Sequence, residues 1–185
     1  MPTLSQNCTA PSNAPTSLTF EYSTDAAFTT VIPGAITPAS VDGGVPTTAV
    51  ANLGGLTASK TYYFRLKGLN EAGSVTSAVG SFDTLAPPVV APTVTATAAT
   101  NITAYSATLN GTAKGGNAAT KVTFQYGTDS TFKTNTSQVA ATPFDISGNT
   151  LTNVSLNISF LTGGTTYYYR VIATNSTGTS YSDTL

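Results

Sequence analysis

Two stretches of this chain repeat each other, and the repeat governs what it can fold into. Leu56-Thr-Ala-Ser-Lys-Thr-Tyr-Tyr-Phe-Arg65 runs on to Asn70 and Gly73, and Leu161-Thr-Gly-Gly-Thr-Thr-Tyr-Tyr-Tyr-Arg170 runs on to Asn175 and Gly178. The pairs Leu56/Leu161, Tyr62/Tyr167, Arg65/Arg170, Asn70/Asn175 and Gly73/Gly178 stand 105 residues apart. Upstream, Ser17–Asp25 matches Lys121–Asp129 and Phe28 matches Phe132, 104 residues apart. A period this long means two tandem copies of one domain and is too long for a solenoid repeat or a propeller blade.

Within each copy the apolar residues alternate. Leu18, Phe20 and Tyr22 alternate with Thr19 and Glu21, and Tyr62, Phe64, Leu66 and Gly68 alternate with Tyr63, Arg65 and Lys67. Period two with aromatic and β-branched residues predicts half-buried strands, here with Tyr63, Arg65 and Lys67 on the outer face. Between Phe28 and Val50, Pro33, Pro38, Gly43, Gly44 and Pro46 allow only brief edge strands. No helical periodicity is legible in the first half. Ala86–Pro92 holds three prolines in seven residues, the composition of a stiff connector. The domains are therefore read as 1–85 and 93–185 with a linker over 86–92.

The Leu-x5-Tyr spacing, the alternation Tyr-x-Tyr/Phe-x-Val/Leu-x-Ala/Gly-x-Asn and the Gly three residues after Asn resemble fibronectin type III domains, in the variety of microbial surface, secreted or phage virion proteins. The resemblance covers nearly the whole chain as two copies. It implies an all-β fold of two tandem immunoglobulin-like antiparallel sandwiches. It also places Tyr62 and Tyr167 at the tyrosine corner, with a hydroxyl bonded to the loop near Leu56 and Leu161. Many members carry a Trp on the second strand; this chain has no Trp, and Gly111 stands about where it would be. Phe20, Tyr22, Phe64 and their counterparts Phe124, Tyr126 and Tyr169 are expected to fill the core instead.

Charged residues are only 8% of the chain and the net charge is −1, with no like-charged run. That leaves no electrostatic footprint for nucleic acid, and no apolar run approaches the roughly 20 residues of a bilayer span. The chain has no His and one Cys, Cys8, so neither the commonest general base nor a cysteine metal framework is available. Cys8 reads as a small buried hydrophobe ahead of a reactive thiol. No catalytic residue, metal or cofactor is expected, and the chain is read as non-enzymatic.

Glu21, Asp25, Asp42, Glu71, Asp83, Asp129, Asp145 and Asp183 are scattered through turns and strand ends, and nothing selects a catalytic pair. Asp25 and Asp129 could each give an oxygen to Ca²⁺, but no second carboxylate lies nearby, so an Asx-type turn is the stronger reading. Asn70-Glu-Ala-Gly73 and Asn175-Ser-Thr-Gly178 read as hairpin turns. Tyr63 with Arg65, and Tyr168 with Arg170, form an aromatic and cationic stripe that could stack a sugar or dock a partner. The competing and favoured reading is cross-strand pairing, with Glu21 opposite Arg65 and Gln125 in the same place in the second copy. Asn-x-Ser/Thr sequons occur at Asn7, Asn101, Asn110, Asn135, Asn153, Asn157 and Asn175; many of them arise by chance in an Asn-, Ser- and Thr-rich chain, and their glycosylation is conditional on a source that glycosylates.

The second copy opens with a strand, Thr93-Val-Thr-Ala-Thr-Ala, for which the first has no counterpart ahead of Thr3-Leu4. The first domain is thus expected to lack its first strand. Both copies close on Asp-Thr-Leu, seven residues after Gly178 but twelve after Gly73, so the last strand of the second is read as shortened or cut. The start, Met1-Pro-Thr-Leu-Ser-Gln, lacks a secretory signal's basic and apolar regions, which leaves a removed signal, a fragment or a signal-free exit. The function expected is a structural or adhesive module of an extracellular assembly (surface filament, adhesin stalk or virion decoration) that associates with neighbouring subunits, with strand complementation at the incomplete domain as the sharper form. The alternative is an accessory spacer of a secreted polysaccharide-active enzyme.

Overall fold

A computed structural model describes residues 3–8, with the backbone alone at 7 and 8, together with residues 14–42 and 46–185. The readings of Cys8, Gly43 and Gly44 fall outside the described parts. Every regular element among the described residues is a strand, and the chain divides into two compact units, Met1–Pro87 and Pro88–Leu185.

Unit 1 holds β1 (Thr3–Cys8), β2 (Thr16–Ser23), β3 (Ile32–Gly34), β4 (Ile36–Thr37), β5 (Ser40–Val41), β6 (Thr47–Asn52), β7 (Thr61–Asn70), β8 (Gly73–Thr76) and β9 (Gly80–Asp83). Unit 2 holds β10 (Thr93–Thr100), β11 (Ser106–Lys114), β12 (Thr120–Gly127), β13 (Thr136–Ile146), β14 (Thr152–Ser159), β15 (Tyr168–Asn175) and β16 (Gly178–Tyr181).

All pairings are antiparallel. In unit 2 the order is β10-β11-β14-β13-β12-β15-β16. β13 joins the two layers: Thr136–Ala140 and Asp145–Ile146 pair with β12, while Thr142 pairs with Ser155 of β14. Three strands thus face four, a fibronectin type III-like, immunoglobulin-type sandwich. Leu109, Val154 and Ile158 from one layer meet Val122, Phe124, Tyr169, Val171 and Ala173 from the other in a single buried cluster. Val122, Phe124 and Val171 are fully buried, and burying each such side chain contributes about 1.5–3 kcal/mol.

Unit 1 repeats this plan in pieces. β1 pairs β6 with Leu4 opposite Ala51, as β11 pairs β14 with Leu109 opposite Leu156. The continuous β13 becomes β3, β4 and β5, interrupted at Ala35 and at Pro38–Ala39, and these pair with β2, β6 and β2 in the same sequence of partners. No described strand stands where β10 stands in unit 2, so the outer edge of β1 is unpaired among the described residues. The buried residues fall into two small clusters, Leu18, Val41, Ala49 and Leu66, then Phe20, Ala51 and Leu53.

The proline-rich segment is fastened to unit 2 from Pro88 onward. Val90 N–H donates to Gly116 O (2.9 Å), Asn117 Nδ2 to Pro88 O (3.0 Å), Asn175 Nδ2 to Val90 O (2.8 Å) and Ser180 Oγ to Pro92 O (2.6 Å). At the other end, Leu185 exchanges backbone hydrogen bonds with Tyr169, as Gly80 pairs with Phe64 in unit 1. The two Asp-Thr-Leu motifs are therefore not structural counterparts: Asp83 pairs with Thr61, whereas Leu185 already matches Gly80.

Candidate functional site

Strand pairing puts Arg65 opposite Glu21 and Arg170 opposite Gln125. Arg65 Nε reaches Glu21 Oε2 at 2.7 Å and Lys67 Nζ reaches Oε1 at 2.9 Å. Burial pushes the Glu21 carboxyl up, and the hydrogen bonds and charges of Lys67 and Arg65 outweigh it, leaving the group below its ordinary value of 4.5. Arg170 Nε donates to Gln125 Oε1 at 2.9 Å. The guanidinium of Arg65 lies over Phe28 (4.1 Å), and that of Arg170 over both Phe132 (4.6 Å) and Tyr181 (4.5 Å). Both arginines thus spend their planar faces and their Nε donors inside their own units.

The covering phenylalanines were not visible as such in the sequence. Phe28 and Phe132 adopt positive φ, 54° and 56°, which turns each ring back across the sheet. Asp25 and Asp129 hold them there. Each main-chain carbonyl accepts the Phe N–H at 3.0 and 3.1 Å. The Asp25 carboxylate accepts from Ala27 N–H, Thr29 N–H and Thr29 Oγ, and that of Asp129 from the N–H groups of Thr131, Lys133 and Thr134 and from both threonine hydroxyls. Hydrogen bonds, first those from the Thr29 and Thr131 hydroxyls, hold both carboxyls below their ordinary 3.8. These oxygens close a turn, and no group of three His, Cys, Asp or Glu gathers anywhere among the described residues. The repeated Asp-x-x-Phe was the one sequence signal for this device.

Tyr62 accepts the Thr57 N–H through its hydroxyl at 3.0 Å, and Tyr167 accepts the Thr162 N–H at 3.1 Å. Each clamps the turn one residue beyond Leu56 or Leu161 to its strand. Tyr62 is 5% exposed, and its ring lies 5.7 Å from Phe82 at an interplanar angle of 16°. Tyr63 and Tyr168 are half-buried beside the arginines.

Two further features are open. One is the β1 edge, where Gln6 Oε1 is buried without a hydrogen-bond partner among the described residues. Its counterpart, Gly111, has no room for a side chain: a Cβ there would stand 2.6 Å from Val171 Cγ2 and 2.7 Å from Thr95 O. The other is a cavity of about 190 Å³ in unit 2, walled by uncharged residues that include Leu109, Tyr126, Leu161, Tyr167 and Tyr169. Neither could be read from composition or motif, since each depends on which strand pairs with which.

No family model matches the chain, and no curated protein matches its sequence. Among solved structures it is similar to the chicken CNTN1 FN1–FN3 domains, at 15% identity and a TM-score of 0.36, with 94% of this chain and 55% of that one covered. The chain spans little more than half the length of that structure. No helix among the described residues is long and apolar enough to cross a membrane.

Proposed function

We propose that the chain is a non-catalytic structural or adhesive module of an extracellular assembly such as a surface filament, adhesin stalk or virion decoration, and that β1 is the edge through which it takes a strand from a neighbouring subunit. The observation that carries this reading is the contrast between the copies: β10 covers β11 in unit 2, while the outer edge of β1 is unpaired among the described residues. An unpaired edge beside a divided core is a template for strand addition. The arriving strand needs small apolar residues at alternate positions, as Val94 and Ala96 supply in unit 2, and a donor for Gln6 Oε1.

Light scattering over a concentration series tests the proposal, with assembly beyond the monomer as the expected result. Neighbouring residues of a strand point their N–H groups to opposite edges, so of Ser5→Pro and Gln6→Pro one removes an outward donor and the other breaks the ladder to β6. The first is expected to abolish assembly with the fold retained. A chain that stays folded and monomeric at roughly millimolar concentration, well above typical subunit affinities, would sink the proposal.

A further inference from the structure

Arg65 and Arg170 occupy the same place in the two copies, yet only Arg65 has a counter-ion. It shares Glu21 with Lys67. In unit 2 both partners change, with Gln125 standing for Glu21 and the buried Ile172 for Lys67. Arg170 therefore has no carboxylate within ion-pair distance among the described residues. Its Nε is taken by Gln125 Oε1, and its guanidinium is held by the rings of Phe132 and Tyr181. Nη1 and Nη2 make no hydrogen bond among the described residues. Both reach the surface, because Gln6 Oε1 is the one buried polar side-chain atom without a partner there. A half-buried charge without a counter-ion costs desolvation that two rings offset only in part. The same rings and the amide fix the planar fork in advance, so little freedom is left to lose when an anion arrives.

We propose that Arg170 anchors a binding site for an acidic polysaccharide, taking the carboxylate of a uronate-type sugar on Nη1 and Nη2 as a bidentate pair. The rest of the sheet face selects the rest of the ligand. Gln138 stands beside Gln125, Thr136 and Tyr168 lie one row further along, and Tyr181 is 56% exposed. Amides, hydroxyls and phenol rings of this kind match the hydroxyls and the C–H faces of a sugar. The other cation of these strands, Lys121, is paired with Asp145, which leaves one positive charge and suits a carboxylate above a doubly charged phosphate. A peptide finds less to hold. Gln125 is paired on both sides, with Arg170 and Gln138, and backbone bonds from Tyr169 to Leu185 and from Val171 to Ser182 flank Arg170. No main-chain edge is free there to align an extended segment. Nor does the site turn on the course of the chain after Leu185. In unit 1 the matching strand, β9, runs along Thr61–Phe64, while Arg65 takes its partners from Glu21 of β2 and from Phe28. The site gives the adhesive part of the proposed function a ligand and is separate from assembly through β1, so either can fail alone.

The probe is trigalacturonate, titrated into the full chain with backbone amide NMR as the readout, against its methyl ester, which keeps the sugar rings and loses the charges. Saturable shifts are expected at Gln125, Thr136, Arg170 and Tyr181, with the ester weaker by about tenfold or more, the scale of lost hydrogen bonds to a charged group. Gln125→Glu gives Arg170 the counter-ion that Arg65 already has and is expected to abolish binding with the fold retained. Arg170→Lys is expected to weaken binding by a similar factor, since a point charge replaces a planar fork. The comparison of acid with ester needs no altered protein and so stands even where a variant folds poorly. Equal binding of acid and ester, no binding of either, or binding unchanged by Gln125→Glu overturns the proposal. So does a hexaglutamate peptide that shifts the same residues with equal affinity, which would mean a protein carboxylate. Self-association abolished by Gln125→Glu would overturn it in favour of a second copy.

Discussion

Tyr62 and Tyr167 make the same bond in different surroundings. Tyr62 is buried and lies against Phe82, whereas water reaches the Tyr167 side. Tyr62→Phe is therefore expected to cost about 1 kcal/mol or more by leaving Thr57 N–H unpaired, and Tyr167→Phe less, as read from the urea midpoint of each unit. The carboxylates set the acid limit. Glu21, Asp25 and Asp129 all have folded values below the ordinary 4.5 and 3.8, so in acid the folded chain binds fewer protons than the unfolded one. Their contribution is complete above about pH 4.5 and drains away as pH falls through the folded values. With no His in the chain, urea midpoints are expected to stay level from about pH 5.5 to 8 and to fall below about pH 4.5. Asp129→Asn is expected to flatten that fall. The tyrosine spacing was legible because bond and strand lie within six residues. The Phe28 and Phe132 covers were not, because they depend on a positive φ that alternation does not report.

Between elements, the close approach of β10 to β11 is the most exacting fit. Gly111→Ala would drive a methyl into Val171 Cγ2 and the Thr95 carbonyl, and is expected to cost about 1–3 kcal/mol as overpacking, seen as a lower melting temperature for unit 2 alone. Tyr169, whose hydroxyl donates to Thr97 O, adds a tie between β15 and β10, and burial raises that phenol above its ordinary value of 10.0. Its counterpart is Phe64, which has no hydroxyl and no described β10-like strand to reach. The strands around the repeated stretches were readable because their alternation is strong and both copies state it. The chain ends misled: Asp83-Thr-Leu85 and Asp183-Thr-Leu185 look equivalent, yet only hydrogen-bond register shows them to be five positions apart.

Across the molecule, one unit has a single buried cluster and the other a divided one. Urea unfolding of the chain is expected to show two transitions, with unit 1 melting first. A 10-fold rise in salt is expected to move neither midpoint much, because only three ion pairs link the described residues and one of them is exposed. Coincident transitions seen by tyrosine fluorescence and by amide exchange would contradict the first expectation. The fastening of Pro88–Pro92 also bears on mechanics. Tension entering unit 2 along the chain does not reach β10 directly; it first loads the bonds at Pro88, Val90 and Pro92, which anchor to three separate loops and strands. In single-molecule pulling, Ser180→Ala combined with Asn175→Ala is expected to lower the rupture force of unit 2 and leave that of unit 1 unchanged. The segment that reads as a connector is, under load, a strain relief for the strand behind it.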